Sequence, residues 1–100
     1  MLHTVNKSPF ERNALDACLT HAKKGSAVLL FEDGVYAATK GTAPGNTVAG
    51  VAKDLKIFVL GPDLKARGYD ESQVVAGVTV VDYGGFVDLV VEHGPVTAWL

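Results

Sequence analysis

Apolar and polar positions change period repeatedly along the chain, and the changes divide it into alternating strands and helices. Leu2 to Asn6 reads as a first strand. Ser8-Pro9-Phe10-Glu11 reads as a helix start, with Ser8 and Glu11 forming a capping box and Pro9 in the first helical position. This helix is predicted to run to Lys24, with Lys23 and Lys24 at its negative end and Gly25 closing it in the left-handed conformation. Ser26 to Phe31 is apolar at successive positions, the mark of a central parallel strand. A turn at Glu32-Asp33-Gly34 leads into a short helical piece, Val35 to Thr39. Gly41 to Gly45, with Pro44, reads as a flexible loop. Asn46 is predicted to cap a segment that ends near Asp54. Lys56 to Leu60 is a third strand, closed by Gly61-Pro62-Asp63, and Leu64 to Arg67 gives one helical turn stopped by Gly68. Val74 to Val81 holds a fourth strand. Asp82 caps a last helix, Tyr83 to His93, and Gly94-Pro95 stops it before a final strand, Val96 to Leu100.

Five strands alternating with helices predict a three-layer α/β fold around a mostly parallel sheet, with right-handed crossovers. The 100 residues suit a single domain spanning 1–100. Hydrophobic residues make up 48% and the mean hydropathy is +0.21, which excludes disorder and leaves an apolar surplus suited to a subunit interface. A chain with that surplus is expected to self-associate or aggregate without its partners. Nine Lys and Arg against eleven Asp and Glu give a net charge of −2, which argues against direct binding of tRNA or DNA. The longest apolar run, Ala27 to Phe31, is too short to cross a bilayer. With no signal-peptide core at its start, the chain is expected in the cytoplasm.

Little of the chemistry is self-sufficient. Cys18 is the only cysteine, so an intrachain disulfide and Cys-rich zinc frameworks are excluded. His3, His21 and His93 lack ligand spacing, and neither a metal nor a cofactor is expected. On a helical wheel Cys18 lies among Phe10, Ala14, Leu15 and Ala22, opposite Arg12, Asp16, Thr20 and Lys23. That placement favours a buried, inert thiol; His21, one turn later, is the group that could activate it. Gly84-Gly85 fits close helix–sheet packing better than an anion site, because no G-x-G-x-x-G or P-loop pattern surrounds it. The carboxylates are scattered without an acid/base pair, and no G-x-S-x-G occurs. Trp99 and Leu100 must be packed, either in the chain's own sheet or against another subunit.

Several motifs, in order, carry a resemblance over essentially all of the chain. They are Leu2-His3-Thr4 with Ser8-Pro9, the stretch Leu29-Leu30-Phe31-Glu32-Asp33-Gly34-Val35-Tyr36-Ala37-Ala38, the tract Asp63 to Gly68, the tract Val81 to Leu89, and the ending Ala98-Trp99. Together they resemble the DsrH/TusB family, more closely DsrH, the small subunit of the DsrEFH sulfurtransferase complex of sulfur oxidation. The resemblance implies a DsrE/F/H-like fold and a part in passing persulfide sulfur between cysteines. It implies DsrE/TusD-like and DsrF/TusC-like partners in a heterohexamer, and a DsrC/TusE-type carrier downstream. It places the main sulfur-carrying cysteine on the DsrE/TusD-like partner, in a segment after a strand; the equivalent Gly61-Pro62-Asp63 here has none. A first-helix cysteine is expected in DsrH-type chains, which makes Cys18 the candidate sulfur acceptor. A TusB-like subunit serving tRNA 2-thiouridine synthesis and a purely structural subunit are the alternatives.

Overall fold

A computed structural model describes all 100 residues. Strand β1 (Leu2–Val5) leads to helix α1 (Ala14–His21), then β2 (Ala27–Leu30) and a 3-10 segment, Glu32–Ala38. Helix α2 (Ala43–Val51), β3 (Lys56–Leu60), α3 (Gly61–Ala66), β4 (Val78–Val81), α4 (Tyr83–His93) and β5 (Val96–Trp99) follow. The five strands form one sheet, ordered β4-β3-β2-β1-β5, with every pairing parallel. The expected α/β architecture is therefore present, and its layers follow from the connections. Each step from β1 to β4 moves to the adjacent strand, and α1, α2, α3 and the 3-10 segment pack into one cluster with Val5, Val28, Leu30, Ile57 and Val59. The return from β4 to β5 crosses the sheet, and α4 covers the other face, where Leu89 meets Leu2, Ala27 and Leu29.

The element boundaries depart from the sequence reading in four places. Residues 8–13 form a turn, not the start of α1. The Ser8 carbonyl accepts the amides of Glu11 and Arg12 at 3.1 Å each, and its hydroxyl accepts the Phe10 amide at 3.2 Å. A serine side chain that satisfies nearby amides in this way competes with helix formation. Phe10 consequently leaves the wheel face assigned to it and is 65% exposed. At its other end α1 stops at His21, so the positive φ of Gly25 (+88°) belongs to a later turn in which its amide reaches the Asp54 carbonyl at 2.7 Å.

The expected loop at Gly41–Gly45 is instead the start of α2. Thr42, not Asn46, is the cap: its hydroxyl accepts the Gly45 amide at 3.0 Å, and Pro44 fits the first turn, where no amide is required. Gly61-Pro62-Asp63, expected to close β3, is the first turn of α3 for the same reason. The strand expected from Val74 starts at Val78, because the Ala76-Gly77 turn, with Gly77 at φ +90°, intervenes; Val74 keeps only an isolated antiparallel bridge to Thr39. Gly34 is required by packing: a β-carbon there would collide with the Val5 carbonyl.

Candidate functional site

Helix α1 turns Ala14, Leu15 and Cys18 towards the sheet, and all three are buried. Cys18 is free and fully shielded from solvent. Burial disfavours the thiolate and pushes the thiol up to about 12. At pH 7 about one molecule in 100,000 would then carry the thiolate, the form that attacks a persulfide. The placement agrees with the helical wheel.

His21, the expected activator, is engaged elsewhere. Its Nδ1–H donates to the Ala17 carbonyl at 2.8 Å, and its ring lies against Trp99 with centroids 5.6 Å apart. Trp99 reaches across from β5, and its Nε1–H donates to Nδ1 of His3 at 3.1 Å. His3 sits in the middle of β1 and is buried. Desolvation, then the charge of the N-terminal ammonium, holds its pKa below the ordinary histidine value. A neutral imidazole that accepts at Nδ1 carries its proton on Nε2. The terminal Trp thus packs in the chain's own sheet, between two imidazoles, while Leu100 remains 77% exposed. This trio escaped sequence reading because His3 and Trp99 lie 96 positions apart. Only the parallel register of β1 and β5 puts them on one face.

A second set of polar contacts ties together the loops at the carboxyl ends of β1, β2 and β3. Asn6 Nδ2 donates to Glu32 Oε1 at 3.2 Å, and the Glu32 amide donates to Asp63 Oδ2 at 2.7 Å. Glu32 adopts a φ of +49°, uncommon outside glycine. Arg67 spans to Asp33, with Nε at 3.0 Å and Nη2 at 2.9 Å from Oδ1, and its Nη1 donates to the Asp63 carbonyl at 3.2 Å. No local pattern announces these contacts, which join residues 26 to 34 positions apart.

Beside this network, a groove of about 730 Å³ opens under α3, with Pro62, Lys65, Tyr69, Asp70 and Val80 among its walls. It contains neither thiol nor imidazole. A β-carbon on Gly61 would lie 3.0 Å from Val80 Cγ1, so a side chain at the start of this segment would have to displace Val80. Gly85 is equally close to β4: a β-carbon there would lie 2.9 Å from Val81 Cβ, which accords with close packing at Gly84-Gly85. No group of three or more His, Cys, Asp or Glu side chains is placed to hold a metal. No helix is long and apolar enough to cross a membrane.

The family described as "DsrH like protein" matches residues 7–96. The chain belongs to the DsrH-like family. Proteins named TusB are similar to it from end to end. That of Pectobacterium parmentieri is 40% identical, covering 99% of this chain and 100% of that protein. That of Escherichia coli K12 is 34% identical with the same coverage. Among solved structures, the protein MTH1491 of Methanobacterium thermoautotrophicum has a TM-score of 0.70 at 16% identity, covering 97% of this chain and 95% of that one. Tm0979 of Thermotoga maritima has a TM-score of 0.64 at 22% identity, covering 90% and 91%. At those identities the two structures bear on the fold alone. The DsrH/TusB family is one of sulfur-relay subunits, which work as parts of complexes.

Proposed function

We propose that this DsrH-like chain is a TusB-type subunit of a cytoplasmic TusBCD-like complex, which relays persulfide sulfur towards 2-thiouridine in tRNA. The observation that carries this reading is end-to-end similarity, at 34–40% identity, to proteins named TusB. In such a relay a thiolate attacks the outer sulfur of a persulfide, and the donor leaves as its own thiolate. The buried Cys18 thiol is poorly suited to that attack. The sulfur-carrying cysteine is accordingly assigned to the DsrE/TusD-like partner, with Cys18 at most a weak secondary acceptor. A DsrC/TusE-type carrier receives the sulfur from the complex.

The DsrEFH reading, with a role in sulfur oxidation, has one observation in its favour: a cysteine in the first helix, where DsrH-type chains are expected to have one. Exchange of the TusB subunit of Escherichia coli for this chain separates the two. Restored 2-thiouridine in tRNA supports the TusB reading. Assembly with the host partners but no thiolation counts for the other. In the assembled complex exposed to a persulfide donor, mass spectrometry should find sulfur on the partner's cysteine. Cys18→Ser should assemble and lower transfer without abolishing it. Complete loss of transfer in an assembled Cys18→Ser complex would place the chemistry on this chain.

A further inference from the structure

The two faces of the sheet are covered unequally. Four helical segments pack on one, and α4 alone packs on the other. Helix α4 directs Phe86 and Leu89 to the sheet. Tyr83, Val87 and Val91 follow at spacings of four, 60%, 61% and 82% exposed, with Val90 beside them at 39%. An eleven-residue helix with this second apolar stripe is built to be covered on both sides.

The charges around that stripe indicate what covers it. No Lys or Arg follows Arg67, whereas Asp70, Glu71, Asp82, Asp88 and Glu92 do. Three of these carboxylates belong to α4 and its cap, and all three are exposed. Two copies packed α4 against α4 about a two-fold axis would bring the same carboxylates into the same interface, which like-charge repulsion disfavours. A different chain bordered by cations would meet both the stripe and its rim.

We propose that the outer face of α4, formed by Tyr83, Val87, Val90 and Val91, docks another subunit of the relay complex, one that presents an apolar face rimmed by Lys and Arg. The partner's identity rests on the relay reading; the position of the surface and its charge preference do not. Tyr83 and the valines supply the desolvated centre, and Asp88 and Glu92 supply orientation and encounter rate.

The test uses the full chain co-expressed with the DsrE/TusD-like and DsrF/TusC-like subunits of its source. Hydroxyl-radical labelling of Tyr83 should fall about tenfold on assembly, as for a side chain buried at an interface centre. Val87→Glu and Val91→Glu, both at exposed positions, should each weaken assembly at least about tenfold, while Phe10→Ser, exposed on a different segment, should leave it unchanged. The double variant Asp88→Lys, Glu92→Lys should slow association severalfold at low salt and less at high salt. A complex that forms with Tyr83 labelled as in the free chain, or that tolerates Val91→Glu, overturns the proposal while leaving the relay reading intact. A dimer of the isolated chain that Val91→Glu dissolves overturns the choice of partner. Absence of any complex with the two subunits overturns the relay reading, and this assignment of partner with it.

Discussion

Cys18 shows how a residue's chemistry is set by the surface it occupies. The same α1 face that makes the thiol part of the core withholds it from solvent and raises its pKa from 9.0 to about 12. Between those values the unfolded chain has lost the thiol proton and the folded chain keeps it. The folded state then binds more protons, so stability falls as pH rises from about 9 towards 12. Three units correspond to at most about 4 kcal/mol over the whole window. Cys18→Ala should cost about 1 kcal/mol at pH 7, as a small buried deletion does. Urea unfolding of the two proteins at pH 7.5, 9 and 10.5 checks both statements. The advantage of the wild type should shrink and then reverse as pH rises; a constant difference would mean that the sulfur is solvated. Burial of this thiol was legible from the wheel positions of Ala14, Leu15 and Cys18. The engagement of His21 with Trp99 was not, because a tertiary contact decides it.

Elements were more legible in kind and order than in extent, and the reason is specific. Ser8-Pro9 and Thr42-Ala43-Pro44 carry the same start signal of a hydroxyl residue followed by proline. The first closes a local turn, and the second caps α2. What separates them is tertiary: Gly45 packs so closely on the Thr39 carbonyl that the turn is held in helical form, whereas Phe10 finds no apolar neighbour to bury it. By contrast Asp82 and the limits of α4 follow from local chemistry, an aspartate that accepts the Gly85 amide at 2.8 Å and a Gly94-Pro95 stop. Strand β5 depends on one long-range polar contact, that of Trp99 with His3. Because the folded-state pKa of His3 is lowered, the unfolded chain takes up its proton first as pH falls through the ordinary value of 6.5. The stabilisation is complete above that value and declines below it, and a proton on Nδ1 removes the acceptor that Trp99 uses. Stability measured against a His3→Gln variant should therefore decline for the wild type from pH 7.5 to 5, with a parallel change in Trp99 fluorescence. A difference that stays flat over that range would show that His3 titrates alike in both states.

At the scale of the whole molecule, the net charge of −2 conceals a segregation. All nine cations lie in the first 67 residues and five of the eleven carboxylates in the rest. The fold sharpens this at the amino end of the sheet. The Gly25 amide bonds to Asp54, and the Lys56 amide to Ser26, so the turn holding Lys23 and Lys24 lies against the turn holding Lys53 and Asp54. One exposed pair, Lys24 with Asp54 at 3.9 Å, offsets part of that charge and contributes little to stability. Sequence spacing did not show these lysines as neighbours, because two connections bring them together. They are nevertheless few. Four phosphate contacts would give a salt slope near −3.6, so any complex with tRNA should weaken about a hundredfold between 50 and 200 mM salt. The acidic α4 side offers no further cations to extend the footprint. The isolated chain is therefore expected to show no micromolar affinity for tRNA at physiological salt, and the relay's contact with nucleic acid is expected to run through its partners. Fluorescence anisotropy of labelled tRNA across that salt range measures both affinity and slope. Micromolar binding at 150 mM salt that Lys53→Glu reduces would instead make the amino-end lysines a tRNA surface.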